Sequence, residues 1–211
     1  MSPESNDLTA GIPALSPDYL AVLNERRRVL QAELSRILLP GRAFVWEVGS
    51  GHGHFLAAYA AAHPERLCIG VDIASERIER ALRKRDRARL GNLHFIRADA
   101  RFFLQSLSPG PLISDLFVLF PDPWPKARHH KHRLLQPNFL MAAADAARPG
   151  CRLHFRTDFR PYFDEACGAV RASRQWELLP ATTAWSFEFS TVFQNRAAQH
   201  DSFIARRRPI D

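Results

Sequence analysis

Between residues 43 and 156 the chain alternates short apolar runs with longer stretches in which apolar positions recur every three to four residues. The runs 43–48, 67–73, 93–96, 116–120 and 152–156 read as buried strands. The intervening spacing predicts helices near 54–63, 75–90, 100–107, 138–147 and 160–173. Such a βαβα alternation predicts an α/β fold with a mostly parallel sheet covered on both faces. Upstream, Ser16-Pro17-Asp18 supplies an N-cap, a proline at the first helical position and a first-turn acid. A helix should therefore run to about Leu39, where Pro40-Gly41 stops it. Residues 1–15 have no apolar period and read as a flexible arm, leaving 16–211 as one domain without internal repeat or linker. Beyond Trp176 the pattern becomes strand-like at 185–193 and 202–206, with turn signals at Pro180 and around Asn195. Antiparallel strands at one edge of the sheet are expected from it.

Composition narrows the class. With 211 residues, 46% hydrophobic and 24% charged, collagenous, disordered and disulfide-scaffold readings are excluded. Cys68, Cys151 and Cys167 are far apart and form no C-x-x-C pair, so they read as reduced thiols without a metal role. No apolar run is long enough for a membrane span and no basic n-region opens the chain, so the expectation is a soluble, cytoplasmic protein. A net charge of +7 raises the prospect of a polyanionic partner. The basic residues gather at 26–28, 77–89, 126–133 and 206–208, where each cluster could also be a solvated helix face or tail.

In an open parallel sheet, ligands bind beyond the carboxyl ends of the strands. The first strand ends in Glu47-Val48-Gly49-Ser50-Gly51-His52-Gly53, and its glycines allow positive φ and close approach of a ligand. The second ends in Asp72, placed to meet ribose hydroxyls, and the third in Asp99. Glu47 would repel a pyrophosphate seated on the following helix and suits a ligand with an adenosine half and a cationic amino-acid half. S-adenosylmethionine has that character. The alternative reading makes these acids helix caps or ion-pair partners.

After the fourth strand comes Phe120-Pro121-Asp122-Pro123-Trp124-Pro125-Lys126, then Ala127-Arg128-His129-His130-Lys131-His132-Arg133. Alternate prolines should hold the backbone extended and stiff. Asp122 and Trp124 are then presented to hold a purine by edge hydrogen bonds and stacking. The basic residues that follow, Arg128, Lys131 and Arg133 among them, suit phosphate contacts. Three histidines without a cysteine or carboxylate at ligand spacing do not make a metal site.

The segments E-V-G-S-G-H-G, F-P-D-P-W-P-K with R-H-H-K-H-R, and R-T-D-F after the fifth strand resemble the bacterial tRNA (guanine-N7)-methyltransferase family, from about Val45 to the C-terminus. The resemblance implies a Rossmann-like class I methyltransferase fold that moves a methyl group from S-adenosylmethionine to N7 of a guanine in the tRNA variable loop. It implies a cofactor site at Glu47, Asp72, Asp99 and Asp122, the last also at the reaction centre. It implies substrate contacts at Lys126, Asp158 and Thr191. Two positions depart from the family pattern: Asp72 stands where Glu is common, and Thr191-Val192-Phe193-Gln194 ends in Gln194 where the family's T-x-F-E motif has an acid. Gln194 can still donate and accept at a guanine edge, without a charge-assisted bond. Three other readings remain open at this stage. They are methylation of another RNA or a small basic molecule, a nicotinamide-dependent oxidoreductase on a similar sheet, and a non-catalytic RNA-binding module.

Overall fold

A computed structural model describes residues 16–110, 112–189 and 199–209. The expected arm 1–15 and the expected substrate contacts Thr191 and Gln194 lie outside them. Helix α1 (Pro17–Ile37) starts as the sequence dictates: the Ser16 hydroxyl accepts the Tyr19 amide at 3.3 Å. Only a narrow stripe of α1, including Leu30 and Leu34, is buried; the rest carries charged side chains together with the exposed apolar residues Tyr19, Leu20, Val22 and Val29.

From there strand and helix alternate: β1 (Phe44–Val48), α2 (His54–Ala62), β2 (Leu67–Asp72), α3 (Ser75–Arg87), β3 (Leu93–Arg97), α4 (Ala100–Ser106) and β4 (Ile113–Leu119). A 3-10 helix (Ala127–His132), α5 (Pro137–Ala146), β5 (Ala147–Thr157), α6 (Arg160–Ala172), β6 (Trp176–Leu178) and β7 (Asp201–Arg207) follow. The seven strands form one sheet in the order β3-β2-β1-β4-β5-β7-β6. β1 to β5 are parallel, and β7 pairs antiparallel with both β5 and β6. The order reverses between β1 and β4, which places a crevice at their carboxyl ends.

Alternation along β1 divides the core. Phe44, Trp46 and Val48 join the larger apolar cluster, with Leu30 and Leu34 of α1, Phe103 of α4 and Phe139 of α5. Val45 points the other way, into a smaller cluster with Phe55 and Tyr59 of α2, Ile78 and Ala81 of α3, and Phe117 of β4. Glu47, two residues after Val45, is on this second face.

Two sequence expectations differ from the structure. No strand forms over 185–189; the short edge strand is β6 instead. The aromatic alternation that mimics a strand there serves to cover the sheet face. The Trp185 ring lies 5.0 Å from His154 with the Arg156 guanidinium 4.0 Å from its centroid, and Phe187 packs 5.2 Å from Tyr59. β5 begins five residues before the expected Arg152, because Pro149-Gly150 forms an irregularity within the strand. Gly150 takes φ 83° there.

Candidate active site

Each strand end delivers its acid through local chemistry. After β1 the amides of Gly49 and Ser50 both donate to the Val71 carbonyl, at 2.8 and 3.0 Å, so the glycine loop is stitched to β2. Asp72 tightens it further: one carboxylate oxygen accepts the Gly51 amide and the other the Ala74 amide, both at 2.9 Å, with Arg77 3.7 Å away. Asp99 is the N-cap of α4 and accepts the amides of Arg101 and Phe102 at 2.9 and 3.1 Å. Both acids therefore have structural bonds of the kind the cap reading anticipates. They also line one cavity of about 200 Å³, together with Asp122, Trp124, Ile73, Arg77 and His132. A groove of about 620 Å³ adjoins it, sharing Ile73, Ala98 and Asp99 and bounded by α1 and Phe102.

Glu47 does not line this cavity, although the next two residues, Val48 and Gly49, do. It is 4% exposed; the Leu56 amide at the start of α2 bonds its carboxylate, while Oε2 has no hydrogen-bond partner. Desolvation holds its pKa well above the usual carboxylate range, and the negative charge of Asp72 pushes the same way. A buried carboxylate with an unused lone pair is what a cationic ligand group would relieve. Gly49 and Gly51, at φ 68° and 54°, have open space beside them: an added Cβ would meet nothing closer than 4.0 Å.

The loop after β4 is built differently. Phe120 and Trp124 take left-handed φ values of 50° and 44°, so the segment bends at both ends of the Pro121-Asp122-Pro123 stretch. This departs from the uniformly extended run expected of alternating prolines. Asp122 is exposed and Trp124 is 36% exposed, its ring 5.2 Å from His132 and 5.7 Å from His129. Lys126, Arg128 and Lys131 are all exposed, the latter two on the 3-10 helix.

Residues 41–209 match the model of a family described as "Putative methyltransferase". A tRNA (guanine-N(7)-)-methyltransferase of Nitrosomonas europaea is 34% identical over 82% of this chain and 75% of its own length. The chain belongs to the tRNA (guanine-N7)-methyltransferase family. Alignments to other curated tRNA (guanine-N7)-methyltransferases span about half the length of those proteins. Among solved structures, the antibiotic-resistance methyltransferase Kmr superposes with a TM-score of 0.54 at 26% identity, covering 84% of this chain and 93% of that one. A 16S rRNA (adenine(1408)-N(1))-methyltransferase from Catenulisporales acidiphilia, solved with SAM, shares the fold at a TM-score of 0.55 and 19% identity, covering 93% and 94% of the two chains.

Seen within the tRNA (guanine-N7)-methyltransferase family, the expected site residues separate into groups. Asp72, Asp99, Asp122, Trp124 and Gly49 are brought to one cavity. Asp158, just past β5, is exposed and does not line it, although the Phe120 amide bonds the Arg156 carbonyl at 2.8 Å and holds the two strand ends together. Two expectations need correction. Gly53, expected to face a ligand, faces the core: a Cβ there would come within 2.4 Å of the Phe95 ring and 2.9 Å of Ala81. Arg133, expected among the phosphate contacts, is 1% exposed and bonded to Glu165 of α6 and to the carbonyls of Pro123 and Trp124. Its place at the end of a basic run concealed the apolar neighbours Leu134 and Leu135 that draw it inward. Ile73, Arg77 and His132 were missed as lining residues. The position of Arg77, in the first turn after β2, was the available signal. Among the described residues no group of three or more His, Cys, Asp or Glu side chains could hold a metal, and no helix is long and apolar enough to cross a membrane.

Proposed function

We propose that this protein transfers a methyl group from S-adenosylmethionine to N7 of a guanine in the variable loop of tRNA. The observation that carries this reading is the cavity at the switch point of the sheet. There Asp72, Asp99, Asp122 and Trp124 meet at one edge, directly before an exposed basic helix. The donor set fits the cofactor. Asp72 and Asp99 would meet ribose and adenine donors, and the unpartnered oxygen of Glu47 would take the amino-acid ammonium. When bound, S-adenosylmethionine supplies an electrophilic methyl group on a sulfonium.

Guanine N7 carries a lone pair and no proton, so this chain needs no general base for the nucleophile. Its residues act by positioning and by charge. Trp124 offers a partly exposed aromatic face to a purine, and Asp122 an acceptor for its edge donors. Fixing a base in line for transfer is worth several kcal/mol of barrier. As N7 becomes substituted the purine gains positive charge, which the Asp122 carboxylate offsets. Lys126, Arg128 and Lys131 would hold phosphates, with Arg77 at the cavity rim; Asp158, Thr191 and Gln194 would complete recognition of the guanine.

The test is incubation with methyl-labelled S-adenosylmethionine and unmodified tRNA, followed by nucleoside mass spectrometry. Labelled 7-methylguanosine in variable-loop fragments is the expected product. A different methylated nucleoside, or none despite measurable cofactor binding, would move the acceptor to another RNA or a small molecule.

A further inference from the structure

The loop that presents Asp122 cannot hold itself in place. Pro121, Pro123 and Pro125 have no amide hydrogens, so three of its five residues from 121 to 125 offer the fold only acceptors. Yet its geometry is demanding. Phe120 and Trp124 bracket Asp122 in left-handed conformations that side chains other than glycine rarely adopt, and Trp124 is further restricted by the proline that follows it. Conformations of that kind persist only where surrounding contacts over-determine them.

The missing donors come from one buried side chain. Arg133 Nε donates to the Pro123 carbonyl at 2.9 Å and Nη2 to the Trp124 carbonyl at 3.4 Å, while Nη1 is bonded to the Glu165 carboxylate. Its guanidinium carbon lies 5.2 Å from the Tyr162 ring centroid and 5.7 Å from that of Phe159. The Tyr162 hydroxyl accepts the amides of Leu134 and Leu135 at 2.9 and 3.1 Å, fixing the backbone from which Arg133 projects. The Arg133 carbonyl in turn accepts from Arg101, whose own amide bonds Asp99. A planar fork with five donors can span two carbonyls and a carboxylate; a lysine ammonium cannot reach all three in that geometry.

We infer that Arg133 and Glu165 are positioning residues for methyl transfer: they set the placement of Asp122 and Trp124 from α6 without touching the substrate. This rests on the function proposed above. The ion pair is buried at one end only, the Glu165 side chain being 36% exposed, and such a pair is weak evidence for stability. What this pair supplies instead is a fixed address for two carbonyls. His130 Nδ1 lies 3.8 Å from the Glu165 carboxylate and links the basic helix to the same anchor.

The experiment compares Glu165→Gln, Glu165→Ala and Arg133→Lys with the wild type, below their melting temperatures. Misplacing reacting groups by about 1 Å can cost on the order of 100-fold in rate. The expected result is a fall in kcat of about 10-fold for Glu165→Gln and about 100-fold for the other two. KM for tRNA and Kd for S-adenosylhomocysteine should stay within about threefold of wild type, and Glu165→Asp should recover part of the loss. Limited trypsin digestion gives a second readout independent of activity: cleavage after Lys126, Arg128 and Lys131 should accelerate in the variants. Unchanged kcat in folded variants would overturn the inference, as would unchanged cleavage. If the wild type itself makes no 7-methylguanosine, the proposed reaction fails, and the clamp stands or falls on the digestion pattern alone.

Discussion

Replacing Glu47 by Gln separates the two roles open to this carboxylate, because they predict opposite signs. As a structural cap for α2, it should stabilise the free protein. As a ligand for a cationic group, it should be a liability until that group arrives. One oxygen is bonded to the Leu56 amide, the other has no partner, and the side chain is 4% exposed. An unsatisfied buried group costs about 1–3 kcal/mol, more when charged. The amide keeps an acceptor for Leu56 and leaves an unpaired donor in place of a charge, so Glu47→Gln should gain about 1–2 kcal/mol at pH 8. For a chain of this size that is roughly 2–8 °C in Tm. The folded pKa is raised, so the carboxyl's favourable contribution is complete below about pH 4.3, the value of an unfolded Glu. It is lost as pH rises through the raised folded value. The advantage of Gln should therefore be large at pH 8 and shrink as the pH approaches about 5. Binding should move the other way, since losing a charge-assisted bond of about 1.5–3 kcal/mol raises Kd for S-adenosylhomocysteine about 10- to 100-fold. Melting curves across this pH range and titration calorimetry read both quantities. A variant that melts lower at pH 8 and binds within about threefold of wild type would refute the ligand role and leave Glu47 as a cap.

Asp122→Ala should lower kcat about 100-fold while Kd for S-adenosylhomocysteine changes less than about threefold, measured by single-turnover kinetics and calorimetry. Equal losses in both would make Asp122 chiefly a cofactor ligand. Charge removal at Arg128 and Lys131 should weaken binding of every tRNA alike and reduce the slope of log K against log salt by about 1 for each phosphate no longer neutralised; an unchanged slope in filter-binding assays would show a solvated surface. Gly53→Ala should cost about 2–4 kcal/mol in urea unfolding, combining a left-handed φ of 66° with overlap against Phe95 and Ala81. Gly49→Ala, with open space around it, should cost about 1 kcal/mol and act instead on cofactor affinity.

Legibility in the sequence followed the range of the interactions involved. The five parallel strands and their helices were readable because the middles of β1 to β5 are mostly buried and the helices open on local caps, as at Ser16 and Asp99. The acids at the ends of β1, β2 and β3 were readable because chain direction alone places them at one edge. Long-range pairing left no such trace. Nothing near Arg133 announces Glu165, 32 residues further on, and the two charges differ only in which one is buried. The three glycines of the loop after β1 look alike in one dimension. Gly49 and Gly51 face open space while Gly53 abuts Phe95 from β3, a neighbour supplied by the sheet order. Trp185 and Phe187 carry a strand-like period because covering a sheet face and pairing at its edge both reward alternating aromatics.

The placement of β7 has a consequence for how the protein is made. β5, central to the core, offers its outer edge to β7 from Arg152↔Arg206 to Thr157↔Asp201, and β6 joins the sheet only through β7. On the ribosome, every parallel strand emerges well before residues 201–207 do. Throughout that interval β5 has an unpaired backbone edge, the kind of surface that recruits other chains. Synthesis interrupted before residue 207 would thus release a chain with a nearly complete cofactor crevice and an open sheet. Such a chain would offer that edge to other strands until Asp201–Arg207 pairs with it, so closing β5 is a task left to a segment made about 45 residues later.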